Sequence, residues 1–323
     1  MSASAGGEDE RKLNLELVEH QGLVWLHVEK PTEAETEYIE QRFSLRHVDL
    51  DDILRRHIRP KIDENTSHLF IALQLPVYDE ETHTIDSCEL DVIIGTGYLV
   101  TVDCLGRFRD LAKFLQKCQI DETTRKENMC HGAGHLLYIV LRGMINRRLS
   151  LLDRIGDSIE DVERKIFSDK SKGTVKEISI LSRNIITFRR AIGPLKTIIN
   201  TLGTKIGPYS EIDLKESFRD LASQLERIWD ALDECKEVTE ELQNTYNSLS
   251  TNRTNDILRI LTVVMTVGTI LTVYVGFYGM NIPLGPLGGA DPGGNPLAWL
   301  WLMVIGVVLT VVMIVYSIRK GWL

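Results

Sequence analysis

The sequence predicts an α+β cytoplasmic domain, then a long helical stalk, then two C-terminal transmembrane helices. Three observations predict this. Residues 11–120 alternate short aliphatic runs with amphipathic stretches, punctuated by glycine. From Tyr209 to Val267 no glycine or proline interrupts a long apolar 4-3 repeat. Near the C-terminus two uncharged runs are each long enough to cross a bilayer, which takes ~20 residues.

The first twelve residues, MSASAGGEDERK, are charged and have no apolar core. They predict a disordered tail over 1–10 and no signal peptide. In the domain at 11–120, Leu13–Val18 and Leu23–Val28 read as strands around Gly22. Glu33–Phe43 reads as a helix after Pro31-Thr32, and Val48–His57 as a second helical piece. His68–Tyr78, Ser87–Gly95 and Tyr98–Asp103 read as strands, and Arg107–Cys118 as an amphipathic helix. The pairing order of the strands does not follow from the sequence.

A helical hairpin is expected over 121–208. Its arms are Leu136–Phe167 and a helix capped by Thr174 that runs to about Leu202, with a polar break at Ser168–Gly173 between them. Gly203, Gly207 and Pro208 are expected to end it. The stalk, 209–258, places Leu214, Phe218, Leu221, Leu225, Ile228, Leu232 and Cys235 on one seam, continued by Thr239, Leu242, Tyr246 and Leu249. At ~1.5 Å per residue, a helix from Leu214 to Tyr278 would run about 95 Å, from cytosol into membrane without a break.

Charge divides the chain in the same place. Residues 256–323 hold two acids, Asp256 and Asp291, and three bases, Arg259, Arg319 and Lys320. Taking these from the chain's 46 acids and 37 bases leaves 44 and 34, a net charge of −10 over 1–255. An acidic domain argues against nucleic acid and suits the handling of cations. The five cysteines form no C-x-x-C pair and read as reduced thiols.

The first spanning run, 259–281, carries Thr262, Thr266, Thr269 and Thr272 at steps of four, three and three, one face of a helix. That face extends to Asn255, Leu258 and Met265 on one side and Gly276 on the other. Spacing alone leaves two uses open. The stripe is a helix–helix seam with hydroxyls bonded one turn back, or it is the wall of an aqueous path. The second spanning run, 296–318, is wholly uncharged and ends at Arg319-Lys320, with a short tail to 323. Those bases and Arg259 predict cytoplasmic ends and a multi-pass membrane protein with an external loop over 282–295 that holds the single acid Asp291. Two helices cannot enclose water, so a pore requires several identical subunits.

The first run closes on Tyr278-Gly279-Met280-Asn281. Gly-Met-Asn at the end of the first of two C-terminal spanning helices resembles the CorA family of divalent-cation channels. The resemblance extends to Asp52-Ile53-Leu54, His57 and Arg59-Pro60-Lys61-Ile62, similar to the family's D-I-L…H-x-R-P-K segment. It implies a pentameric funnel that carries Mg2+, with Co2+ or Ni2+ as further cargo. In it Gly279, Met280 and Asn281 form the selectivity filter. Gly276, Thr272, Thr269 and Thr262 line the path, and Leu258, Leu261 and Met265 form an apolar constriction with Asn255 below. Mg2+ gives up its waters reluctantly, so a neutral wall suits the hydrated ion. Asp291 would concentrate cations at the mouth.

In the family, an acid matching Asp52 faces one on the neighbouring stalk to bind a regulatory Mg2+. The partner position here is Asn244, a departure, with Glu240 and Glu241 one turn away as substitutes. Ile270 also stands where a proline is common, and the C-terminal cluster has only two bases. A ZntB-like Zn2+ transporter is the nearest alternative, with Cys130, His131 and His135 as candidate ligands; a non-conducting membrane scaffold is another. No P-loop, G-x-S-x-G, H-E-x-x-H or dinucleotide fingerprint is present, so neither an enzyme nor an organic cofactor is expected.

Overall fold

The computed structural model describes residues 13–45, 53–54, 59–168, 173–279 and 298–320. The expected tail at 1–10, most of the helical piece at Val48–His57, Asp52, the loop at 282–295 with Asp291, Met280, Asn281 and residues 321–323 lie outside them. The chain divides into two compact units, Met1–Gln243 and Asn244–Leu323.

The first unit is built on a six-stranded sheet, β1 (Leu15–His20), β2 (Leu23–Glu29), β3 (Lys61–Glu64), β4 (His68–Asp79), β5 (Thr84–Gly95) and β6 (Tyr98–Asp103). The order is β1-β2-β6-β5-β4-β3. Among the described strands only β2 and β6 pair in parallel; the other pairs are antiparallel. β2 therefore reaches β6 through a crossover that contains α1 (Glu33–Phe43) and three strands. Helix α1 starts with a capping box, the Glu35 carboxylate accepting from the Thr32 amide at 2.8 Å. Its Ile39 enters a core with Leu26, Val28, Phe70, Ile93, Val100 and Val102 from one face of the sheet.

The opposite face meets helices. Trp25 of β2 meets Phe114 of α2 (Arg109–Ile120), ring centres 5.5 Å apart. Helix α3 (Glu122–Met129) leads into α4 (Gly132–Phe167), which pairs with α5 (Thr174–Lys205) as the expected hairpin. Helix α5 also packs along β4 and β5, so the stretches read as separate pieces, 11–120 and 121–208, share one compact unit. A short 3-10 turn, Gly207–Tyr209, precedes α6 (Lys215–Gly279).

Two boundary expectations change. Thr174 is not the cap of α5: Gly173 takes that position in the left-handed region, φ +96°, and the Thr174 hydroxyl is buried without a partner among the described residues. Gly203 does not end α5 but lies inside it, where its missing Cβ admits Phe218; a Cβ there would sit 3.0 Å from that of Phe218. The seam of α6 is buried as its repeat requires, with Phe218, Leu225, Ile228 and Leu232 wholly enclosed. Ion pairs from α5 flank it, Lys196–Glu226 at 2.5 Å and Arg189–Asp233 at 2.7 Å.

In the second unit, α6 supplies the one described helix that is long and apolar enough to cross a membrane. Helix α7 (Ala298–Arg319) contributes a shorter described apolar stretch, Val304–Arg319.

Candidate functional site

Helix α6 carries the threonine stripe because nothing between Leu261 and Gly279 opposes a helix strongly: no proline interrupts it, and each β-branched threonine ties its hydroxyl to the preceding turn. Thr262 Oγ1 donates to Leu258 O at 2.7 Å, Thr266 to Thr262 O at 2.7 Å, Thr269 to Met265 O at 2.9 Å and Thr272 to Gly268 O at 2.8 Å. The back-bond uses the single hydroxyl hydrogen. What remains outward is an oxygen with free lone pairs, an acceptor.

The stripe is not uniform. Thr262, Thr269 and Thr272 are exposed, as are Asn255, Leu258, Leu261, Met265 and Gly276. Thr266 is half-covered, with Val267 and Ile270, and Val263 is buried. These four recur at helical spacing, so one side of α6 is covered within the chain and the other is left open. Helix α7 has a matching covered side: Gly306, Thr310, Met313 and Ile314 are half-covered and Ser317 is buried. At Gly276 an added Cβ would meet nothing within 4 Å among the described residues, so packing against them does not demand glycine there. Gly279 closes the helix; Met280 and Asn281, the rest of the expected filter, lie outside the described residues.

The described regulatory candidates are exposed carboxylates and an amide. Glu240 Oε1 is 3.3 Å from Lys236 Nζ, Glu241 is exposed, and Asn244 is exposed with its carbonyl accepting from Ser248 Oγ at 3.0 Å. Carboxylates and amides are oxygen donors of the kind Mg2+ takes. Glu240 is shared with a lysine and Asn244 brings no charge.

The expected zinc trio does not assemble. His131 and His135 lie edge-to-face, ring centres 5.2 Å apart, while the Cys130 thiol turns to the Glu127 carbonyl at 4.0 Å. The reason is local: Gly132 and Gly134 are there to let the 3-10 turn approach, since a Cβ on either would meet Tyr209 O at 2.9 or 3.1 Å. Among the described residues, the only group whose ligand atoms gather within 4.8 Å is Glu89, Asp91 and Cys104. Sequence reading missed it. Glu89 and Asp91 share one face of β5 by alternation, and β6 brings Cys104 opposite; the thiol donates to Asp91 Oδ2 at 3.6 Å. Burial first, then the neighbouring acids, push that thiol far up, so it is no thiolate.

Residues 20–320 match the family described as CorA-like Mg2+ transporter protein. The chain belongs to the CorA family. Within that family it is 28% identical over 292 residues to the cobalt/magnesium transport protein CorA of Thermotoga maritima, covering 87% of this chain and 78% of that one. Its likeness to CorA of Methanocaldococcus jannaschii is 24% identity over 323 residues, 99% of this chain and 98% of the other. The complete structure of CorA magnesium transporter from that organism superposes with a TM-score of 0.76 at 22% identity, covering 95% and 93% of the two chains. A more distant likeness is the ZntB cytoplasmic domain from Vibrio parahaemolyticus, TM-score 0.51 at 14% identity over 72% of this chain and 90% of that one, a similarity of fold. The CorA assignment covers the α/β unit, the long helix and the C-terminal helix together, and it describes a transporter, not an enzyme.

Proposed function

We propose that the chain is one subunit of a homo-oligomeric inner-membrane channel that admits hydrated Mg2+, with Co2+ and Ni2+ as further cargo, along the open side of α6. The observation that carries this is the state of Thr262, Thr269 and Thr272: exposed in the chain, with each hydroxyl hydrogen turned back into the helix. Waters held by a cation point their hydrogens outward, so the wall they meet must accept hydrogen bonds. Back-bonded threonines offer acceptors and no competing donor. A wall without carboxylates passes an ion that keeps its water, since nothing on it replaces the hydration shell.

The covered side of α6, Val263, Thr266, Val267 and Ile270, serves as the seam to α7 in this reading, and α7 forms the outer, lipid-facing ring. Leu258, Leu261 and Met265 form the constriction that closes by dewetting. Asn281 and Gly279 form the outer filter, Met280 lies between them, and Asp291 enriches cations beside it. The number of subunits is five by family likeness, and both termini are cytoplasmic.

Regulation in this reading comes from divalent cations bound between subunits by Asp52 and the neighbour's Glu240, Glu241 and Asn244. Facing acids repel unless a cation lies between them, so high internal Mg2+ holds the subunits together and the path shut. The zinc alternative finds no support in the geometry at Cys130, His131 and His135.

The test is Mg2+ and Zn2+ entry into dye-loaded liposomes, with and without a pH gradient, for the parent chain and Asn281→Ala. The reading expects Mg2+ entry without a proton requirement, abolished in the variant. Zn2+ entry alone, or a silent Asn281→Ala, contradicts it.

A further inference from the structure

The chain carries a net charge of −9, yet one cavity in its first unit is cationic. It measures about 520 Å3 and lies where the start of α2 meets α4 beside the β4–β5 hairpin. Arg107, Arg109, Lys113, Arg147 and Arg148 line it against two acids, Glu80 and Asp110. Ion pairs absorb part of this charge. Arg147 is 2.8 Å from Asp110, Arg107 is 3.3 Å from Asp79, and Glu80 is 3.0 Å from Arg154. Among the described residues, no carboxylate lies within ion-pair distance of Arg109, Lys113 or Arg148.

Arg148 is the unusual member. It is only 6% exposed. Its Nη1 donates to Met144 O at 2.9 Å, its guanidinium lies 5.8 Å from the centre of the Phe108 ring, and its Nε is buried with no hydrogen-bond partner among the described residues. Burial lowers its pKa to about 10, so it stays charged at neutral pH. A guanidinium stripped of water without a carboxylate is costly, and a bound anion offsets that cost.

A second feature of the same cavity points the same way. Helix α2 begins at its wall, and the residue before it, Phe108, provides no side-chain cap. The amides of Arg109 and Asp110 therefore have no partner within the helix, and the helix presents its positive end there. The remaining wall is apolar and aromatic, including Tyr78, Phe108 and Phe114. A lone inorganic phosphate would fill little of a volume typical of small-molecule sites, ~300–1,000 Å3.

We propose that this cavity binds a nucleoside phosphate, its phosphates on Arg148, Lys113 and the first amides of α2, and its base against the aromatic wall. This site is independent of the conducting face and has no P-loop; charge and an uncapped helix replace the glycine-rich cradle.

The test is calorimetric titration of the full-length chain in detergent micelles, with EDTA present so that no divalent cation complicates the ligand. ATP, tripolyphosphate and adenosine are compared on the parent chain, Arg148→Met and Lys113→Ala, the last at an exposed position that leaves the fold untouched. The proposal expects saturable ATP binding with Kd at or below ~1 mM. It expects either fragment to bind at least about tenfold more weakly than ATP, and both variants to lose affinity, Arg148→Met by about tenfold or more. No saturable ATP binding overturns it, and points to a protein segment or to nothing as the occupant. Tripolyphosphate binding as tightly as ATP reduces the site to a bare anion site and overturns the nucleotide assignment. Unchanged affinity in Lys113→Ala and Arg148→Met overturns it as well.

Discussion

Asn184 on α5 clasps Ile85 at the start of β5: its Oδ1 accepts from the Ile85 amide at 2.8 Å, and its Nδ2 donates to His83 O at 3.0 Å. The side chain is 7% exposed, and His83 sits in the left-handed region, φ +55°. One buried amide thus fastens a helix of the hairpin to the turn between two central strands, 99 residues away in sequence. Asn184→Ala leaves a strand amide and a carbonyl without partners, a cost of about 2–4 kcal/mol. Thermal unfolding of the purified chain should show a drop of several degrees, and Asn184→Asp, which keeps the bond to Ile85, a smaller one. An unchanged Tm for Asn184→Ala would remove this link from the account.

That clasp also marks where sequence reading runs out. The strands from Leu23 to Asp103 were legible because β-branched runs and glycines delimit them, and α1 because Thr32 and Glu35 form a capping box. β3 was not: Lys61–Glu64 is four mostly polar residues at the sheet edge, and its first two belong to the Arg59-Pro60-Lys61-Ile62 segment, which carries no strand pattern. Strand order depends on pairings across the crossover, which no local pattern encodes. On α6 the period of the threonines was legible, but Thr266 is covered while Thr262 and Thr269 are open, and only a neighbouring element decides that. Arg148 was invisible because an Arg-Arg pair in a polar helix reads as solvated surface.

His27 predicts a pH dependence of stability. It is 1% exposed on β2, with Nδ1 3.0 Å from Thr101 Oγ1 and Nε2 3.8 Å from Glu29. Burial lowers its pKa, against the opposing pull of Asp103, Glu29 and Glu16. The fold therefore prefers the neutral ring. Stability from this group is fully present above the unfolded value, about 6.5, and declines as pH falls below it toward the folded value. Chemical denaturation from pH 8 to 5 should show a decline that His27→Gln flattens. Equal pH slopes for parent and variant would contradict it.

The proposed conducting face on α6 predicts a flux defect without a folding defect. Thr272→Val keeps shape and helix but removes the acceptor, and the loss repeats in every subunit. Mg2+ entry should fall about tenfold or more, roughly 1.4 kcal/mol at the barrier, with Tm nearly unchanged. Thr266→Val, on the covered side, should reduce flux much less. Liposome uptake measures both, and equal effects would erase the distinction between the two sides.

The regulatory reading predicts opposite shifts. Asp52→Ala should keep conducting at millimolar internal Mg2+. Asn244→Asp, by adding a carboxylate, should shut the channel at an internal Mg2+ about tenfold lower. Dose–response curves in inside-out patches measure both, and an unaltered Asp52→Ala curve excludes that residue as sensor.

The central claim, that Thr269 faces water shared by all subunits, is tested most directly by blocking it. In a chain whose five cysteines are replaced, Thr269→Cys and Val264→Cys place a single thiol on the stripe or on the far side of α6, both exposed in the lone subunit. The account predicts that a charged, membrane-impermeant thiol reagent stops Mg2+ flux through Thr269→Cys and leaves Val264→Cys conducting. Block at Val264→Cys, with Thr269→Cys untouched, would place the threonines against lipid and contradict it.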